Sequence, residues 1–253
     1  AAFAITYQNR NLFKGSEVFN LQLRGAYEAI RGLEGYKNQD FIEYSVESSL
    51  SFPRIIAPKF LTNIIGNRYD ARSEVSVMYD LQNRPEYHRR VLSMAWKYKW
   101  SNEGHHDRYQ IDLLDINYLF MPWISDTFRK DYLEDDTNRN AILRYNYENL
   151  LIMKWGVGYN YNNGRYAIKA NVETSGNLLN LCSGLLNFEK NEQGQYQVFG
   201  IAYAQYAKAD FDFTNNISFD YNNQLIFHVG FGIAYPYGNS TILPFEKRYF
   251  SGG

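Results

Sequence analysis

Histidine and carboxylate side chains are the residues of this sequence that could carry acid–base chemistry. Its four histidines are His88, His105, His106 and His228. His105 and His106 are adjacent in a polar turn and point in opposite directions if the chain is extended, so they do not chelate one ion together. His228 lies among polar residues, which leaves a Ser/His/acid hydrolase open. The sequence has no G-x-S-x-G elbow, however, and we expect no enzyme, no metal site and no cofactor.

A second set of charged residues alternates with apolar residues along several short segments. Two of its carboxylates could form a catalytic pair, but acids and bases that line a barrel and pair with one another explain the same pattern. The set comprises the acids Glu43, Glu47, Glu74, Asp80 and Glu173 and the bases Arg24, Lys97, Lys99, Lys154 and Lys169. We therefore expect these side chains to form ion pairs on one face of a sheet.

The composition excludes some classes of protein. With 26 basic and 27 acidic residues in 253, the chain lacks the basic excess of nucleic-acid-binding proteins, and we expect no nucleic-acid partner. A single cysteine, Cys182, excludes an internal disulfide. No apolar run reaches the ~18 residues of a helical membrane span, whereas a barrel strand needs only ~10 residues with alternate ones apolar. The beginning predicts a strand and turn rather than a signal peptide, so we expect a mature piece of a longer protein.

Alternation of apolar residues with polar or small ones, the pattern of a β-strand, dominates the sequence. The clearest example carries Leu225, Phe227, Val229, Phe231, Ile233 and Tyr235 on one face and Ile226, His228, Gly230, Gly232 and Ala234 on the other. About ten such segments occur, at residues 3–8, 19–28, 42–52, 74–81, 92–100, 109–120, 151–161, 166–173, 196–207 and 225–235. The fold class predicted is all-β and antiparallel.

The segments between these strands predict turns and loops. Residues 31–39, 54–70 and 210–216 are predicted to be irregular, and Ser125 is expected to cap a short helix in a loop over 122–146. Short turns alternate with long loops, which is the pattern of an outer-membrane β-barrel. A soluble two-sheet sandwich alternates in the same way, so periodicity leaves both architectures open.

The ending of the sequence resembles the start of the sixth outer loop in the BamA/TamA superfamily of outer-membrane assembly and translocation barrels. In that family a Pro-Phe pair, aromatic residues and Gly-Gly precede an Arg-Gly-aromatic motif that folds back into the barrel lumen. The matching residues are Pro244, Phe245, Arg248, Phe250, Gly252 and Gly253. A stretch near the beginning resembles the family's inner turn between its second and third strands. It is carried by Asn9, Asn11, Leu12, Phe13 and Gly15.

The resemblance, which is strongest to TamA-like members from Bacteroidetes-type bacteria, implies that residues 1–253 form part of one transmembrane β-barrel domain. They would supply about ten strands of a sixteen-stranded barrel. The family's periplasmic repeats, first strand, last strands and Arg-Gly-aromatic motif are absent from the sequence. The implied function is non-catalytic insertion or translocation of proteins in the bacterial outer membrane. The implied partners are outer-membrane lipid, client outer-membrane or surface proteins, and periplasmic proteins or lipoproteins. Arg248 is implied to contact the lumen.

Two other functions fit the strand pattern. A passive outer-membrane channel or surface-binding barrel would share every strand feature and differ only in the two end motifs. A soluble β-sandwich binding module would bury the same apolar faces in a core.

Overall fold

The computed structural model describes residues 1–29, 40–57, 59, 62, 69–133, 147–191, 193–220 and 222–249. These residues form an all-β antiparallel fold with few helices, as predicted. The strands are β1 Ala2–Asn9, β2 Val18–Glu28, β3 Phe41–Phe52, β4 Tyr69–Asn83, β5 Tyr87–Ser101, β6 Asp107–Ile124, β7 Leu150–Asn162, β8 Tyr166–Ser175, β9 Gln197–Val198, β10 Ile201–Ala202, β11 Tyr206–Ser218 and β12 Gln224–Pro236. The helices are α1 Asp126–Phe128, continued by the π-helical Arg129–Leu133, then α2 Asn177–Ser183 and the 3-10 helix Phe245–Lys247.

Ten strands pair in one sheet in the order β1 to β8, then β11 and β12, while β9 and β10 form a separate short hairpin. Because each strand is antiparallel to the next, connections alternate between two ends of the sheet. We call them the turn end, which holds the tight turns after β1, β5, β7 and β11, and the loop end, which holds the long connections after β6 and β8. Two connections depart from this division: the longer connection after β3, described at residues 53–57, 59 and 62, begins at the turn end, and the tight turn 84–86 lies at the loop end.

The predicted alternation separates two faces of the sheet. The apolar face carries cross-strand neighbours such as Val46 opposite Tyr79 and Val77 opposite Met94. These side chains stay about half exposed, for example 42% at Val77 and 66% at Phe231, because no second sheet among the described residues covers them. The opposite, polar face carries the charged residues.

A β-bulge explains why the alternation of β6 is mixed in the sequence. The register of β6 shifts between Asp112 and Asp115 against β7, and at the same place against β5. One extra residue therefore reverses the faces of the side chains that follow, as far as Phe120, after which the register against β5 shifts again.

Three sequence-based boundaries are wrong. Residues 210–216, predicted as a turn, lie in the middle of β11, where Phe211 and Phe213 alternate with polar residues. The Asp and Asn residues there suggested a turn. The actual turn follows β11, where the Asp220 carboxylate accepts hydrogen bonds from the backbone N–H groups of Asn222 and Asn223. The strand predicted over 196–207 is instead the β9–β10 hairpin and the chain leading into β11.

The third wrong boundary is at Pro122, because β6 continues to Ile124. The helix predicted after it is present, and Ser125 caps it by accepting a hydrogen bond from Phe128 N at 3.2 Å. Predictions for residues 31–39, most of 54–70 and 134–146 fall outside the described residues.

A small buried core lies on the polar face at the loop end. It consists of Val91, Leu119, Leu150, Ile152, Ala204 and Tyr206, with Leu243 packed against it. The connection before β11 and the chain after β12 fold over the sheet to complete this core. The loop end of the polar face is therefore covered, while the rest of it is open.

The sheet is not closed: β1 and β12 are edges, each paired on one side among the described residues. No helix in the described part of the chain is both long and apolar enough to cross a membrane.

Candidate functional site

The chain after β12, residues 237–249, folds back over the polar face, and we call it the terminal segment. Its first turn is fixed by Asn239, which is 7% exposed. The Asn239 amide donates to the carbonyl oxygens of Tyr196 and Tyr203, both at 3.0 Å, and accepts from Tyr196 N at 2.7 Å. Asn239 N in turn donates to the Gln205 side chain at 2.9 Å. One buried side chain thus ties the terminal segment to the connection before β11.

The 3-10 helix of the terminal segment places two charged side chains over the sheet. Lys247 Nζ lies 3.2 Å from Glu173 Oε1 on β8, and Glu246 lies 2.6 Å from Arg89 on β5. These two ion pairs hold the segment across strands that are not adjacent in the sheet. The crossing is therefore a bridge over β6 and β7.

Glu173 is the centre of an ion cluster beneath this bridge. Lys154 contacts Glu173 at 3.0 Å and Asp115 at 3.3 Å, and Tyr206 donates a hydrogen bond to Glu173 at 3.1 Å. The side chains of Lys154, Glu173 and Asp115 are only 12–16% exposed. With Lys247 included, the cluster contains two lysines and two carboxylates, so its formal charges cancel. Burial, together with the nearby Lys154 charge, lowers the pKa of Lys247 even though Glu173 favours its charged form.

Tyr249 docks the last described part of the terminal segment onto β11 and β12. Its hydroxyl donates to the Asp210 carboxylate, and Lys208 Nζ lies 4.4 Å from the centre of its ring. Burial and the Asp210 hydrogen bond raise the pKa of Tyr249. Gly232 makes the docking fit, because a Cβ there would collide with the Tyr249 ring.

The residues predicted for the loop motif take different positions. Pro244 is fully buried and Phe245 is 47% exposed. Arg248 donates from Nε to the carbonyl of Leu243 at 2.8 Å, and its Nη2 is buried without a hydrogen-bond partner among the described residues. Phe250, Gly252 and Gly253 lie outside the described residues.

The second predicted motif forms the turn between β1 and β2. Asn9 accepts from Asn11 N at 3.0 Å, and Asn11 accepts from Ser16 N at 3.1 Å. Gly15 N donates to the Glu17 carboxylate at 3.0 Å. Backbone N–H groups, first that of Glu17 itself and then those of Gly15 and Phe13, lower the pKa of Glu17. Leu12 and Phe13 are 40% and 63% exposed. This turn lies at the turn end, so the two predicted motifs are at opposite ends of the sheet.

Ion pairing on the polar face follows the prediction only in part. Glu74 pairs with Lys99 at 2.7 Å and Glu173 pairs with Lys154. Arg24, Lys97 and Lys169 form no ion pair with a carboxylate in the described part of the chain. The prediction was too general because alternation fixes the face of a side chain but not its neighbour.

The histidines do not form a proton relay. Ser101 Oγ and an Asp70 oxygen both lie against the same His105 nitrogen, Nδ1, at 3.2 and 3.1 Å, whereas a relay needs one partner on each ring nitrogen. His228 contacts Asp212 at 3.1 Å on the exposed polar face. No group of three metal-ligating side chains occurs among the residues that the structure describes.

Sequence reasoning missed Lys247, Tyr249 and Asn239. Gly232 is the one signal for them in the sequence, because a glycine within a strand can mark a place where another group packs closely on the sheet. In the structure that group is the Tyr249 ring.

Comparison of the sequence with models of known protein families gives no match, and comparison with curated protein sequences gives none either.

Proposed function

We propose that the sheet is part of a transmembrane β-barrel of the bacterial outer membrane, with its apolar face toward lipid and its polar face toward the lumen. The observation that carries this proposal is the exposure of the apolar face along the strands, for example 58% at Ile5, 49% at Val157 and 56% at Ile233. An exposed apolar surface of this extent marks a contact with lipid or protein. Strands that alternate apolar-out and polar-in match the lipid case.

The two edges of the sheet support a larger barrel. In lipid, the free backbone groups of β1 and β12 would be unpaired, which costs several kcal/mol for each group. The ten strands therefore need further strands to close, and we propose that they are the central ten of about sixteen. A barrel of that size encloses a wide lumen.

We further propose that this barrel inserts or translocates outer-membrane or surface proteins and does not catalyse a reaction. The terminal segment supports this role, because it crosses the polar face, where two ion pairs and the packing of Leu243 hold it. The partners would be outer-membrane lipid, the client proteins, and periplasmic proteins or lipoproteins.

A passive channel is the second candidate, and the open part of the polar face favours it. A surface-binding barrel shares the same features. A soluble sandwich is less favoured, because the apolar face has no covering sheet within the described residues.

The first experiment is extraction and heat modification of the native protein that carries this chain. We expect it to leave the membrane only with detergent and to migrate faster unheated than boiled. Extraction by salt or alkali alone would contradict the barrel.

Depletion of the native protein separates the assembly role from the channel. We expect loss of other outer-membrane barrels from the membrane fraction before growth stops. Restoration by a copy lacking the terminal segment would contradict the assembly role, while unchanged barrel levels with altered solute uptake would favour the passive channel.

A further inference from the structure

A basic groove lies on the polar face at the turn end, away from the terminal segment. It has a volume of about 490 Å³ and is lined by residues of β4 to β8. Its cations are Arg72, Lys99, Arg108 and Lys169, and Asp70 is the one carboxylate among its described lining residues. The groove therefore has an excess of positive charge.

Most of this charge is not neutralised within the described part of the chain. Lys99 pairs with Glu74, and Asp70 contacts His105. The remaining cations, Arg72, Arg108 and Lys169, are exposed and form no ion pair with a described residue.

The ion cluster at the loop end provides the contrast on the same face. There Lys154 and Lys247 are matched by Asp115 and Glu173 within 3.3 Å. The excess of cations is thus local to the groove, as expected for a surface that meets an anion from outside the fold.

The register of the strands sets the shape of the groove. Arg72 lies opposite Lys99 in one row. In the next row Arg108 lies opposite Asn160, which lies opposite Lys169. Neighbouring strands are about 4.8 Å apart, so the cations extend over about 19 Å from β4 to β8. This span is too wide for one phosphate or carboxylate group and suits an elongated anion.

Amide side chains and a glycine complete the groove. Asn160 and Asn171 line it and form no side-chain hydrogen bond within the residues described. A Cβ at Gly158 would come within 2.7 Å of the Asn171 side-chain oxygen, so glycine keeps the floor of the groove low. Primary amides both donate and accept hydrogen bonds, so these side chains can pair with the C=O and N–H groups of a peptide backbone.

We propose that this groove binds an extended acidic segment of a polypeptide, resting on the proposed function for the orientation of the polar face toward the water-filled lumen. About six extended residues at about 3.3 Å each would cross its width. Carboxylates on alternate residues would meet the cations, and the amides would bond the backbone. A lipid headgroup is less suitable, because the acyl chains lie against the opposite, apolar face.

The test uses the native protein that carries this chain, purified in detergent. A fluorescein-labelled peptide of alternating Glu and Ser is titrated by fluorescence anisotropy, beside the same peptide with Gln for Glu. We expect the acidic peptide to bind more tightly and to weaken as salt is raised. The double variant R108Q/K169Q should weaken it about tenfold, since two charge contacts are removed.

The matched control is Arg24→Gln, an exposed cation on the polar face of β2, outside the groove. It should leave binding of the acidic peptide unchanged. An equal loss in Arg24→Gln would assign the binding to the general charge of the face and overturn the proposal, as would equal binding of the two peptides.

Competition experiments distinguish an acidic peptide from other anions as the ligand of the groove. Displacement of the peptide by inorganic phosphate, or by phosphatidylglycerol vesicles at matched charge, would assign the groove to a small anion or a lipid headgroup and overturn the proposal. Folding of each variant is checked by its unboiled migration. The protein could bind the peptide although its depletion leaves barrel assembly unchanged. That result would support the peptide-binding groove and contradict only the assembly role.

Discussion

At the scale of single residues, the terminal segment depends on one lysine. Lys247 completes a cluster of two cations and two carboxylates, with side chains of Lys247 and Glu173 only 17% and 16% exposed. Removing one partner of a buried charge pair leaves the other without its compensation. The stability of the loop end should therefore be sensitive to this side chain.

We predict that Lys247→Met destabilises the protein by about 1–3 kcal/mol, the cost of leaving a largely buried partner, here Glu173, without one of its hydrogen bonds. The measurement is the midpoint of urea unfolding in lipid vesicles. Lys97→Met, which removes from the same face a lysine that has no ion pair with a described residue, is the control and should change the midpoint little. Equal midpoints for the two variants would show that the Lys247 contact contributes nothing.

A second residue-scale prediction concerns Glu17 in the first turn. Its pKa is lowered in the fold, so its stabilising effect is present above the ordinary glutamate pKa and is lost as pH falls through the lower folded value. We expect the rate of protease cleavage within residues 10–17 to rise as the pH is lowered from about 5 to about 3. Glu17→Gln should cleave readily at both pH values. A cleavage rate in the unaltered protein that is independent of pH would refute this assignment.

At the scale of elements, the connection before β11 and the terminal segment behave as one unit. Asn239 of the terminal segment joins them by donating to the backbone carbonyls of Tyr196 and Tyr203 in the connection, and Ser240 accepts a further bond from Gln205 N at 2.8 Å. Neither piece has a helix or strand longer than seven residues at this junction. Their order therefore comes from these side-chain bonds together with isolated backbone bonds, such as Tyr237 N to Gln205 O at 3.1 Å and Ala204 N to Leu151 O at 2.8 Å.

We predict that Asn239→Ala lowers stability by about 2–4 kcal/mol, because the buried carbonyl of Tyr203 and the partly buried backbone groups of Tyr196 lose their partners. Limited proteolysis should show new cleavage in both connected pieces together. Asn222→Ala, at the exposed turn before β12, is the matched control. Cleavage confined to the terminal segment would show that the two pieces are independent.

At the scale of the whole molecule, the decisive property is the environment of the apolar face. Substitution of an exposed apolar residue by arginine costs little in water. In a bilayer the same change costs about 2–4 kcal/mol near the midplane of a barrel wall. The two environments therefore give different results for one variant.

We predict that Val157→Arg sharply reduces folding into lipid vesicles, measured as the fast-migrating unboiled band. Val157 is 49% exposed on β7. Ser49→Arg, on the polar face of β3 opposite Asn20 and Ser76, is the control and should fold normally, because the proposed barrel turns that face toward the lumen. Normal folding of both variants would indicate that the apolar face does not contact lipid.

The sequence by itself determined nine of the ten strands of the sheet and, except in the bulged β6, the face on which their side chains lie. These features are local: a period of two needs only a few neighbouring residues to be visible. The same reasoning failed at residues 210–216, because Asp and Asn favour turns in isolation but were held in β11 by pairing with β8 and β12. Tertiary context overrode local propensity there.

Only the tertiary structure decided which polar residues meet. Lys154 and Lys169 have the same predicted face, yet the first is paired twice and the second has no described carboxylate partner. The difference depends on strand register and on the path of the terminal segment, which brings Lys247 to Glu173 across 74 residues of sequence. Such contacts join distant parts of the chain through particular side-chain lengths and angles, and no local pattern in the sequence encodes them.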